Sequence, residues 1–168
     1  ASRVPWLLNL RNRIPALARL GERLTGLSAK RPLPAWRSDT FWRTLPQRGG
    51  FIGQADALAR AGRGERVAVL FVDTFNGTFE SENAWAAARV LQAAGYALHT
   101  VTKNGGHHCC GRTYLSAGMV DEAKARAGAL IDALLPLAQA GIAVVGLEPS
   151  CLLTLRDEAL VMGLGDKA

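Results

Sequence analysis

The sequence predicts an α/β protein: a mainly parallel sheet flanked by helices in a three-layer-like domain, preceded by a helical arm and a proline-rich linker. Three observations carry this expectation. Residues 67–72 (VAVLFV) form a continuous apolar run of strand length, as expected for a strand buried on both faces. From there on, strand-like and helix-like stretches alternate, which argues for right-handed β–α–β crossovers. Upstream of residue 65 the apolar residues instead recur at helical spacing and then give way to a stretch punctuated by proline.

Element by element, residues 1–29 read as helix, with Leu7, Leu10, Ile14, Leu17, Leu20, Leu24 and Leu27 on one periodic stripe and Pro15 kinking it or opening a second helix. Residues 30–50 read as a linker, because Pro32, Pro34 and Pro46 forbid a long helix, with Trp36, Phe41 and Trp42 pinning it to a neighbouring surface. After the first strand, residues 81–94 read as a helix with Ser81 as N-cap and Gly95 as stop. Residues 96–102 form the second strand. Residues 120–140 form a long helix ended by Gly141, with Pro136 bending its last turn, and residues 142–147 form the third strand. A last helix starts at Pro149 and runs to residue 160. The division is therefore 1–64, arm and linker to upstream modules, and 65–168, the α/β domain. Ala1 at the start and Asp166-Lys167-Ala168 just after a helix read as the ends of a piece of a longer protein.

Composition narrows the function classes. With 49% apolar residues a packed domain is expected. No apolar run is long enough to span a bilayer, and Arg3, Arg11 and Arg13 interrupt Trp6, Leu7 and Leu8, so no secretory signal core is present. The formal charge of +6 is uneven: residues 1–66 carry 13 Lys or Arg against 4 Asp or Glu, and residues 67–168 carry 7 against 10. The arginines are interleaved with Leu, Trp and Pro and form no run. That favours an arm docked on other parts of a larger protein, exposing apolar side chains by itself, over a nucleic-acid-binding arm. Three cysteines, two of them adjacent, do not form a secreted disulfide framework. They point to a reducing compartment, and the expected location is cytoplasmic, peripheral at the inner membrane at most.

In open parallel sheets, ligands sit beyond the carboxyl ends of the strands. Three segments occupy that position: residues 73–78, residues 104–112 (NGGHHCCGR) and residues 148–151 (EPSC). They hold Cys109, Cys110 and Cys151, and His107 and His108 of the three histidines. Thiolates are soft ligands for iron–sulfur clusters or zinc, and Gly105, Gly106 and Gly111 let backbone approach a cofactor closely. A buried cysteine is also simply a small apolar residue, and that alternative stays open for Cys151 above all. His107 and His108 are equally readable as hydrogen-bonding loop residues.

The run His107-His108-Cys109-Cys110-Gly111-Arg112, followed by Ser116-Ala117-Gly118, resembles the cysteine-rich CCG domain found in heterodisulfide reductase, in the iron–sulfur component of glycolate oxidase and in lactate-utilisation proteins. The stretches VDTFNGTFESENAWAAARVLQAAGY and GLEPSCLLTLRDE look like its other landmarks, so the resemblance covers roughly residues 65–160. The upstream LLNLRNRIPALARLGERLTGLSAKRPLPAWR looks like the connector that precedes this domain in large bacterial fusion proteins, among them D-lactate and D-2-hydroxyglutarate dehydrogenases. The resemblance implies an iron–sulfur electron-transfer or docking domain of an FAD-linked 2-hydroxy acid dehydrogenase. The FAD-binding and ferredoxin-like modules of the parent chain would be its partners, an acceptor such as quinone would receive the electrons, and the piece alone would be inactive. No nucleic acid is implied, and no Gly-x-Gly-x-x-Gly flavin loop is present. By resemblance the cofactor residues are Cys109, Cys110, Cys151 and Gly111, with Glu148 or His108 as a further metal ligand. The chain departs from the heterodisulfide reductase pattern at two places: Thr74 and Glu148 stand where that pattern has cysteines. A zinc or thiol-redox module and a cofactor-free interaction domain are the alternatives.

Overall fold

The computed structural model describes residues 4–103 and 106–165. Three parallel strands form its sheet: β1 (Val67–Phe71), β2 (Ala97–His99) and β3 (Ala143–Gly146), in the order β2-β1-β3. The registers are Val67 opposite Ala97 on one side and Ala68 opposite Ala143 on the other. All five residues of β1 are buried, as its apolar run predicts for a central strand. Side chains alternate along it. Val67, Val69 and Phe71 enter one core layer, and Ala68, Leu70 and Val72 enter the other.

Among the described residues, ten α-helices surround the sheet. The arm contains α1 (Pro5–Arg13) and α2 (Pro15–Thr25), so Pro15 opens a second helix at its first turn, where its missing N–H costs nothing. The arm folds back on the following segment. Asn9 exchanges two hydrogen bonds with the Trp36 backbone, at 2.9 and 2.8 Å, and Asn12 exchanges two with Leu33, at 2.7 and 3.0 Å. Its apolar stripe points outward nevertheless; Trp6 and Leu24 are 65% and 76% exposed. This is the outward apolar face expected of the arm.

The segment read as linker is more structured than its prolines suggest. It contains α3 (Phe41–Arg48) and leads into α4 (Gln54–Gly62), with Pro46 inside α3. Phe41 and Ala57 are fully buried. Phe41 packs against Trp42, Phe51 and Trp85 with ring centroids 5.1, 5.7 and 4.7 Å away. The Phe51–Ile52 backbone lies along the free edge of β2, where the Ile52 N–H donates to the Leu98 carbonyl at 2.7 Å. The core therefore draws on residues upstream of 65. An eight-residue helix tolerates a proline near its end, and the apolar residues around Pro46 have a sheet face to cover.

After β1 come α5 (Thr74–Thr78) and α6 (Ser81–Ala93); α7 (Arg112–Ser116) and α8 (Val120–Gln139) follow β2. Residues 73–78, expected as a loop, make one helical turn because the Asp73 carboxylate accepts from the Phe75 and Asn76 N–H groups. Ser81 is not the N-cap of α6. Glu80 holds that position, and the Ser81 hydroxyl donates to the Asp39 carbonyl at 3.0 Å. After β3 come α9 (Pro149–Leu153), a π-helical turn (Thr154–Glu158) and α10 (Ala159–Val161). The Thr154 hydroxyl donates to the Ser150 carbonyl at 2.8 Å, a back-bond that accompanies the break from α-helical spacing.

The helices lie on opposite faces. α3 and α6 cover the Ala68–Leu70–Val72 side, whereas α4 and α8 cover the Val67–Val69–Phe71 side together with Leu152 and Leu155. The chain thus leaves β1 toward one face and β3 toward the other, which opens a crevice between their carboxyl ends.

Candidate functional site

The crevice between β1 and β3 is where the cysteines meet. Cys109 and Cys110 sit in the loop entering α7, and Cys151 sits in the first turn of α9. The Cys110 thiol donates to the Cys151 sulfur at 3.0 Å across 41 residues of chain. Cys109 is hydrogen-bonded to Cys110 and to the Thr74 hydroxyl, and its sulfur accepts from the Gly111 N–H at 3.4 Å. Thr74, where the heterodisulfide reductase pattern has a cysteine, is therefore within reach of the thiols but contributes oxygen rather than sulfur. All three cysteines are free.

The local environment keeps Cys109 and Cys110 protonated. Cys109 is pushed well above the usual thiol range, first by its hydrogen bond with Cys110 and then by burial. For Cys110 the bond with Cys109 acts downward, but the bond to Cys151 and burial outweigh it and push the thiol up to about 11. Cys110 is 2% exposed and packs with Val101, Leu130 and Leu134 in the core layer under α8.

Gly111 has a packing role. Its φ is +86°, and a Cβ there would lie 2.5 Å from the Ala123 carbonyl oxygen of α8. Only glycine lets the cysteine loop cross the start of α8 this closely. A salt bridge of 2.9 Å between Arg112 and Glu158 ties the start of α7 to the π-helical turn behind Cys151.

The two further candidate ligands point elsewhere. The Glu148 carboxylate accepts from the Ser150 N–H at 3.3 Å and from the Ser150 hydroxyl at 2.8 Å, so it caps α9. His108 is buried and hydrogen-bonded to the Thr102 backbone; burial holds its imidazole below the usual histidine range. Gly105 lies outside the described residues. The three sulfurs match an iron–sulfur cluster in donor type and fall one protein donor short of four. Two thiolates on one tetrahedral zinc at about 2.3 Å would stand about 3.8 Å apart. The Cys110–Cys151 pair would have to open from 3.0 Å to accept such an ion. Among the described residues, no group of three or more His, Cys, Asp and Glu side chains is arranged to hold a metal ion.

The structure adds residues that the sequence did not single out. Beside the thiols a cleft of about 440 Å³ is lined by Thr74, Phe75, His107, Cys109, Thr113, Tyr114 and Arg126. His107 stacks on Trp42, with ring centroids 6.1 Å apart, and Arg126 lies over the Tyr114 ring at 5.6 Å. The His107 imidazole is held below its usual range by burial first, and then by Arg126 and His108. In sequence Arg126 is one more charge on a long helix; its neighbours Ala123, Ala127 and Leu130 mark the core stripe, and nothing in the spacing marks Arg126 itself.

No protein-family model matches the chain, and neither the curated proteins nor the solved structures contain a match.

Proposed function

We propose that this chain is a CCG-type electron-transfer or docking domain of an FAD-linked 2-hydroxy acid dehydrogenase, with Cys109, Cys110 and Cys151 as its redox centre. The observation that supports the reading is the convergence of the three thiols, Cys109 and Cys110 from the loop before α7 and Cys151 from the first turn of α9, in the crevice between β1 and β3. Those residues would hold three corners of an iron–sulfur cluster, which when bound relays single electrons. The chain's own part is to bury Cys110, to aim the Gly111 N–H at the Cys109 sulfur, and to keep α8 close behind the loop through the bare Cα of Gly111. An N–H aimed at a cluster sulfur is one of the means by which a protein sets potential. FAD and the ferredoxin-like relay belong to the other modules of such a parent, and a quinone is a fitting terminal acceptor.

Anaerobic reconstitution with ferrous iron and sulfide tests this. Wild type should gain visible absorption near 400 nm (roughly the range for clusters) and bound iron, and Cys110→Ser should lose both. Equal, near-zero iron and zinc in the two proteins would overturn the cluster reading.

A second reading rests on the 3.0 Å Cys110–Cys151 contact, which suits a dithiol–disulfide couple. With hydrogen peroxide as the two-electron oxidant, the two thiols would lose two hydrogens and form one S–S bond while the peroxide is reduced to water. Intact-mass analysis and peptide mapping of the metal-free protein read this outcome directly.

A further inference from the structure

We propose that the cleft between α5, α7 and α8 binds a small organic monocarboxylate, with Arg126 taking the carboxylate and the Phe75 and Tyr114 rings enclosing the apolar body. Among the described residues Arg126 has no ion pair, and its one ring contact, with Tyr114, leaves the planar N–H fork available for a carboxylate. Among the described residues, no acidic side chain lines the cleft. The nearest carboxylate in the adjoining loop, Asp73, is 1% exposed and already accepts from the Phe75 and Asn76 N–H groups and from the Asn76 side chain. One such cation facing neutral donors suits a single negative charge.

Shape and polarity narrow the ligand further. A cleft of about 440 Å³ falls within the ordinary range for small-molecule sites. Phe75 is 55% exposed, although it is a large apolar ring that a bound organic group would cover. Thr74 and His107 face the same space and can read a hydroxyl or carbonyl next to the carboxylate. Inorganic phosphate, a mixture of monoanion and dianion at neutral pH, has no apolar body and would leave the two rings uncovered. The site needs no metal, because Cys109 contributes only one wall of it, so the proposal goes beyond the redox reading and stands apart from it.

The test uses the whole 168-residue chain without added metal. Acetate, lactate and phenylacetate are titrated at constant ionic strength while ¹H–¹⁵N and aromatic spectra are recorded, with inorganic phosphate as the competing anion. Saturable shifts at Thr113, Tyr114 and His107 are expected for lactate and phenylacetate, with phosphate at least about tenfold weaker. Arg126→Gln should weaken the carboxylates by about tenfold or more, the effect of losing one charge-assisted hydrogen bond. Arg126 is exposed, so the variant should keep the sheet resonances of the wild type. Arg89→Gln, on α6, should change nothing. Linear, non-saturating shifts, equal affinity in Arg126→Gln, or phosphate binding as tightly as the carboxylates would each overturn the proposal.

Discussion

Gly111→Ala separates a loop built around a cofactor from a loop built around a helix. The backbone there is left-handed, with φ +86°, which an L-residue adopts at about 1–2 kcal/mol. The new Cβ would also stand 2.5 Å from the Ala123 carbonyl oxygen and 3.2 Å from the Ala123 carbonyl carbon and Cα. Those are backbone atoms of a residue with no exposed surface, so they cannot swing aside as a side-chain tip would. Overpacking of this kind costs about 1–3 kcal/mol, which brings the total to about 2–5 kcal/mol. That is a large share of the roughly 5–15 kcal/mol that holds a domain together. Gly118→Ala supplies the control, because its φ is +77° and nothing lies within 4 Å of the added Cβ. It should show the conformational part alone. Urea unfolding followed by circular dichroism reads both. With a slope near 2 kcal/mol per molar, Gly111→Ala should lower the midpoint by about 1–2.5 M at an unchanged slope. If Gly111→Ala were no more costly than Gly118→Ala, the loop would not lie against α8, and Cys109 and Cys110 would not be held as described.

Three other perturbations address the parts around this loop. Phe41→Ala removes a fully buried ring that touches three other aromatics and should cost about 3–5 kcal/mol in the same unfolding assay; a loss below about 1 kcal/mol would mean that residues 41–62 are not part of the core. Asp39 is held down to about 2 by its hydrogen bond to Arg37, so its stabilising contribution is present above the ordinary carboxylate value near 3.8 and is lost as pH falls through about 2. Asp39→Asn should therefore be slightly less stable than wild type at pH 5–7, by under about 1 kcal/mol because both partners are partly solvated, and should converge with it only below about pH 2; a gap that widens in acid would contradict the pairing. For the thiols, a Cys110 pushed up to about 11 is almost wholly protonated at neutral pH, so the part of the ultraviolet thiolate absorbance that Cys110→Ser removes should appear only as the pH approaches that value. Thiolate absorbance from Cys110 already present at pH 7 would show an activated thiolate instead.

Much of the sheet was legible because burial on both faces leaves an apolar signature in β1 and because parallel strands demand helical crossovers. The common edge of the cysteines followed from the same topology: a residue just after a parallel strand lies at the carboxyl edge of the sheet. Other features carried no such signature. Phe41 and Ala57 lie among prolines, glycines and charges, and their burial depends on α3 and α4 finding opposite faces of a sheet that begins at residue 67.

By itself, then, the sequence determined an α/β chain with a parallel sheet, an arm with an outward apolar stripe, and three thiols gathered at one sheet edge. Periodicity and strand polarity are local properties that a single chain displays residue by residue. Only the tertiary structure decided that Cys110 and Cys151 approach to 3.0 Å, that Glu148 turns to its own helix, and that Arg126 faces a cleft beside Cys109. Each of these depends on how α8 and α9 settle against the sheet and on which of several donors a side chain meets first. Such choices are made by packing between segments distant in the chain, and no spacing within one segment records them.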